Sequence, residues 1–174
     1  MRAFVAVPLN PPGPQGDAAP APDHLTVRFV GEIPETALPS LEDRLRPAVA
    51  EHASFEIVVE GVGAFPSRER PRVVWRGVGI GEEPLRRLAA SVRAAVRSAG
   101  LPENPVPFSP HVTLFRVRSP ADLARARSLL EAREPPPPPT TVSVREVHLV
   151  ESRLVARGAI HRVRTRFPLA PHDD

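Results

Sequence analysis

Residues 109–115 read Ser-Pro-His-Val-Thr-Leu-Phe, an apolar run in which His111 and Thr113 sit two apart. In a strand alternate residues share a face, so an imidazole and a hydroxyl stand side by side on one surface. Residues 23–29, Asp-His-Leu-Thr-Val-Arg-Phe, repeat the pattern: His24-Leu25-Thr26-Val27 has the form of His111-Val112-Thr113-Leu114. With six His and six Thr in 174 residues, chance supplies well under one His-x-Thr pair. The two copies lie 87 residues apart (111 − 24), half the chain. Each is followed by a segment with helical signals, so the spacing predicts a duplicated strand-plus-helix unit and two related lobes.

Working outward, strands are expected at 2–7, 23–30, 54–60, 72–78 and 110–116, with 140–152 and 157–169 closing the chain as a hairpin. Between them, Ser40 is placed as the N-cap of a helix with Asp43 three residues on. Leu41, Leu45 and Val49 then line one face, and Pro47 is expected to kink that helix or to mark a short first half. The strongest helix spans 82–100, with Leu85, Leu88, Val92 and Val96 on one stripe and Gly100 at its end. A third helix starts from Ser119 as N-cap with Pro120 in the first helical position. Segment 8–22 reads as a Pro-rich loop, and the five prolines 135–139 as a stiff connector. Strands that come in consecutive pairs between helices predict an α+β fold with antiparallel sheets, forming one domain over 1–174.

Composition removes whole classes of chemistry. There is no cysteine, hence no disulfide, thiolate nucleophile or Cys-based zinc site. All 23 basic residues are Arg, which excludes Schiff-base and P-loop lysines and leaves planar guanidinium groups suited to phosphate. The net charge of +3 names no partner. No apolar run is long enough to span a bilayer, and the stretch between Arg2 and Pro8 is too short for a secretory signal, so a cytoplasmic protein is expected. No Gly-rich phosphate fingerprint follows a strand.

Two facing His-x-Thr strands suit in-line attack at phosphorus. Imidazole titrates near neutrality, so one ring can act as general base and the other as general acid. Each Thr hydroxyl can donate to a phosphate oxygen. A metal site is disfavoured: neither motif carries a second ligand at i+3 or i+4, and alternation puts Asp23 on the strand face opposite His24. His52, His148, His161 and His172 lack such partners in sequence and read as structural or exposed.

On these residues the chain resembles the 2H phosphoesterase superfamily, in particular its RNA 2′,3′-cyclic phosphodiesterase branch, also named 2′-5′ RNA ligase. The opening MRAFVAV, the segment HLTVRFVGEIPE, the middle GAFPSRERPRVVWRGV, the second motif FSPHVTLFRV and the closing VHLVESRLVARGAIHRVRTRFPL carry the likeness in order. The resemblance implies a bilobal, pseudo-symmetric α+β fold whose two antiparallel sheets form a central cleft with helices outside. It also implies metal- and cofactor-independent hydrolysis of cyclic phosphate ends of RNA to 2′-phosphomonoesters. Carried over, His24 is the acid and His111 the base, Thr26 and Thr113 hold the non-bridging oxygens, Arg116 contacts the phosphate and Phe29 stacks on the terminal base. A monomer acting on RNA 3′ ends is expected.

Three points depart from the family pattern or strain it. The Pro-rich segment 8–22 stands where the family has a helix, and His161 stands where it has a tyrosine, so His161 is not counted as catalytic. Phe29 and Arg116 each lie five residues past their histidine, on the wrong face by strict alternation. Arg162, Arg164 and Arg166 share a strand face, either toward an RNA backbone or as a solvated edge. The alternatives are another cyclic nucleotide or 2′,5′-linked substrate in the same site, and a non-catalytic RNA-binding module.

Overall fold

A computed structural model describes residues 1–9, 23–156 and 158–172. In chain order the elements are β1 (Arg2–Pro8), β2 (His24–Glu32), α1 (Leu38–Ala50), β3 (Phe55–Pro66), β4 (Pro71–Val78), α2 (Glu82–Ser98), β5 (Val112–Arg116), α3 (Pro120–Leu130), β6 (Thr140–Val144), β7 (Glu146–Val155) and β8 (Gly158–Pro168). The strands form two four-stranded antiparallel sheets, ordered β2-β1-β7-β8 and β5-β4-β3-β6. The second sheet repeats the pattern of the first, each with its His-x-Thr segment at one edge. This is the bilobal α+β duplicate expected from the sequence.

Hydrophobic alternation decides which sheet face each helix covers. Val5, Val7, Leu25, Val147, Leu149 and Phe167 of the first sheet are buried against Leu41, Leu45 and Val49 of α1 and Leu85, Leu88 and Val92 of α2. A smaller cluster joins Ala64 and Val74 of the second sheet to Ala126 and Leu130 of α3. In both sheets the opposite face is left for the cleft. Burying a Leu or Val side chain contributes about 1.5–3 kcal/mol, so these stripes hold each helix outside.

Several local expectations are corrected. Helix α1 begins at Leu38, after a 3-10 turn at Glu35–Ala37, and no side chain caps it. Ser40 is therefore inside the first turn, where Pro39 has pre-set the helical φ. Pro47 lies in the last part of α1, which continues to Ala50. Strand β3 runs on through the Gly-Val-Gly stretch to Pro66, because the glycines accommodate a bulge rather than a loop. The expected strand 140–152 is two strands in different sheets, with β6 pairing β3 and β7 pairing β1, so the chain crosses between lobes at Arg145. The helices at 82–98 and 120–130 follow expectation: Gly100 is left-handed at φ 74°, and the Ser119 hydroxyl accepts from the Asp122 N–H at 3.1 Å.

Of the Pro-rich segment 8–22, Pro8 closes β1 and the Leu9 N–H donates to the Asp23 carbonyl; residues 10–22 lie outside the described residues. The prolines 135–139 run between α3 and β6. Proline has no N–H, so only its carbonyls can be fastened, and Arg76 fastens them. Its Nη2 lies 3.0 Å from the Pro137 carbonyl, 2.8 Å from that of Pro138 and 2.9 Å from that of Val59. Among the described residues no helix is long and apolar enough to cross a membrane.

Candidate active site

The conflict between strand alternation and the expected site is resolved by two matching bulges. Along β1, Ala6 faces Thr26 and Phe4 faces Phe29, so three residues of β1 oppose four of β2 and Val27 is the extra one. Along β4, Trp75 faces Thr113 and Val73 faces Arg116, and Leu114 is the extra residue of β5. A bulge reverses the alternation beyond it. Phe29 therefore shares a face with His24 and Thr26, and Arg116 with Thr113. The extra residue follows the threonine directly in both motifs.

The two motif ends converge on a cavity of about 190 Å³ lined by His24, Thr26, His111, Thr113 and His161. It opens into a cleft of about 1390 Å³ that Phe29, Arg116 and Arg118 also line. All six residues singled out in the sequence are thus brought to one cleft. His111 precedes β5 rather than lying within it. Its Nδ1 is 2.7 Å from the Ser109 carbonyl; since a carbonyl only accepts, Nδ1 carries the proton and the neutral ring keeps its lone pair on Nε2. Phe65 meets the imidazole edge-on at 4.9 Å, and Trp75 lies 6.2 Å away. Trp75 reaches that position because Gly63 opposite it has no side chain: a Cβ there would sit 2.3 Å from the indole. His24 has Phe4 at 5.0 Å and His161 at 5.2 Å.

His161 is the residue that sequence reasoning misplaced. It faces Ser152 of β7 on the same sheet face as Phe4, and its ring meets that of Phe4 at 5.0 Å. The available signal was its position in the closing strand, where the family has a tyrosine. Asp23 also lines the cavity; it precedes β2, so strand alternation does not govern it. The shared face of the three arginines fails as well, because Arg164 is the extra residue of a bulge in β8. Arg166 falls on the His148 side of the sheet and Arg162 on the Glu151 side, while Arg164 donates to Glu151 at 3.1 Å. The readings of His52, paired with Ser91, and of buried His148, 2.6 Å from Glu146, stand as structural. Among the described residues no three His, Asp or Glu side chains cluster as metal ligands.

Burial, and then the neighbouring charge on His24, hold the His161 pKa below its usual value; burial does the same for His52. Each imidazole then takes up its proton at lower pH in the folded chain than the unfolded value of about 6.5. Below that value the unfolded state binds more protons, so stability falls as pH drops toward the folded pKa values and is fully present above about 6.5. Thermal melts between pH 7.5 and 5.5 are expected to show a falling midpoint, with a shallower fall in His161→Phe and His52→Gln. An unchanged slope in both variants would remove these groups as the cause.

Two antiparallel sheets with paired His-x-Thr segments converging on one cleft define the 2H phosphoesterase class. The sequence profile of the 2′-5′ RNA ligase superfamily matches residues 12–155, and the chain belongs to that superfamily. It is 37% identical to the RNA 2′,3′-cyclic phosphodiesterase of Aeropyrum pernix over 80% of this chain and 77% of that protein. With the protein of the same name from Archaeoglobus fulgidus it shares 34% identity over 93% of this chain and 97% of that one. The solved structure of TT0787 from Thermus thermophilus matches with a TM-score of 0.72 at 28% identity, covering 99% of this chain and 100% of that one. E. coli LigT, crystallised with 3′-AMP, shares the fold at a TM-score of 0.70 and 24% identity over 97% of each chain.

Proposed function

We propose that the protein hydrolyses the 2′,3′-cyclic phosphate at RNA 3′ ends to a 2′-phosphomonoester. The convergence of both His-x-Thr motifs on one small cavity carries this reading. Water attacks phosphorus and gives its proton to His111 Nε2, the P–O3′ bond breaks, and His24 protonates the leaving O3′. The Ser109 contact supports His111 as base, since it keeps the lone pair on Nε2. Thr26 and Thr113 donate to the two non-bridging oxygens, where charge gathers as the fifth bond forms. Arg116 adds a guanidinium to the phosphate, and Phe29, 49% exposed, offers a stacking face to the terminal base. No step calls for a metal or cofactor. With a 5′-hydroxyl in place of water, the same attack would form a 2′-5′ linkage.

An oligonucleotide ending in a 2′,3′-cyclic phosphate, incubated with the protein in excess EDTA, is expected to yield a 2′-phosphate end. A 3′-phosphate product, or no turnover, would sink the proposal.

A further inference from the structure

The cleft extends well beyond the catalytic cavity. Its volume of about 1390 Å³ exceeds the roughly 300–1,000 Å³ of sites that enclose one small ligand. Its outer part is built on the first sheet in a definite order. Register pairs Phe4 with Phe29 and Val150, and Arg2 with Ser152 and with Glu32, whose carboxylate has the N-terminal ammonium at 3.8 Å; two positions further along β7 is Leu154, which faces Ala159 of β8. Two residues of a strand cover about 6.6 Å. Moving out from Phe29, a ligand meets first the Arg2 and Ser152 row, then Leu154 and Val155 at the tip of the β7–β8 hairpin. Leu154 is 72% and Val155 45% exposed, and both line the cleft rather than a core.

Large apolar side chains held in solvent on a cleft wall mark a ligand contact. Here they are separated from an exposed aromatic ring by a guanidinium. Stacking platform, cation, apolar platform is the order of base, phosphate, base along a single strand. Glu103 also lines the cleft, but Arg93 and Arg97 hold its carboxylate at 3.3 and 3.8 Å, so it does not set the sign of the potential. Asn104, which also lines the cleft, is anchored to β2, whose Arg28 donates to the Asn104 carbonyl at 2.8 Å.

We propose that this outer cleft is a subsite for the nucleotide 5′ to the terminal one, with its base on Leu154 and Val155 and the joining phosphate at Arg2. This rests on the hydrolytic reading above and narrows its substrate to chain ends of two or more nucleotides.

The test compares kcat/KM for cytidine 2′,3′-cyclic phosphate with that for a dinucleotide and a tetranucleotide carrying the same end. The dinucleotide is expected to exceed the mononucleotide at least tenfold, with little added by the tetranucleotide. Leu154→Asp should collapse the dinucleotide-to-mononucleotide ratio through KM, and Arg2→Gln should lower it. Ile80→Asp, an equally exposed site outside the cleft, should preserve it. A ratio near one in the unsubstituted protein, or one untouched by Leu154→Asp, overturns the subsite. If neither substrate is hydrolysed, the catalytic reading fails alone. Calorimetric binding of a dinucleoside 3′-phosphate against the 3′-mononucleotide then decides the subsite, and equal affinities overturn it.

Discussion

Replacing either His24 or His111 with alanine is expected to lower kcat/KM on a cyclic-phosphate-ended oligonucleotide by about 10²–10⁴-fold, the range removed with one general acid or base. The two losses should differ in pH dependence. The unsubstituted protein should show a bell, rising as the base deprotonates and falling as the acid does. His111→Ala removes the base and with it the acidic limb; His24→Ala removes the acid and with it the alkaline limb. The reverse pattern would exchange the two roles while leaving the pair intact. The double variant should fall short of the product of the single effects, because groups acting in one step are not additive. Full activity in either single variant would end the acid–base account.

The second large effect is expected at Gly63, which touches no substrate. An alanine Cβ there would fall 2.3, 2.4 and 2.7 Å from three atoms of the Trp75 indole, closer than any real contact, so the ring must move. Overpacking of this kind costs about 1–3 kcal/mol. Trp75 also flanks His111, so the displacement reaches the base. Gly63→Ala should therefore lower the urea midpoint and also reduce kcat on the cyclic phosphate. Pairing it with Trp75→Leu, which frees the space, should recover stability but not kcat. A Gly63→Ala protein with unchanged midpoint and kcat would mean that Trp75 does not position His111.

The duplicated architecture and four of the site residues were legible because they are written in periodicity and repetition. His24, Thr26, His111 and Thr113 announce themselves by spacing, and the stripes of α1 and α2 by their hydrophobic period. Departures from regularity were not legible. Val27 and Leu114 look like ordinary strand residues, and nothing in their identity shows that each is unpaired across the ladder. Arg145 carries no turn signal, yet the chain leaves one sheet there for the other; the reason lies in partners far along the sequence, β3 and β1. Gly61 and Gly63 lie past residue 60, where the expected strand stops, because glycine weakens a strand pattern; in the fold β3 runs through them, and Gly63 yields room to an indole. His161 reaches His24 only through the order of β8, β7, β1 and β2 across the sheet, which no local pattern encodes.

The bulges after Thr26 and Thr113 also bear on which mutations the site can absorb. Exchanging Val27 for Ile or Leu114 for Met alters a side chain and leaves every neighbour facing where it did. Deleting either residue would remove that bulge and send Phe29 or Arg116 to the helix-covered side, although β2 would keep its second irregularity at Val30. At these two places the constraint is on how many residues the strand contains, more than on which ones they are.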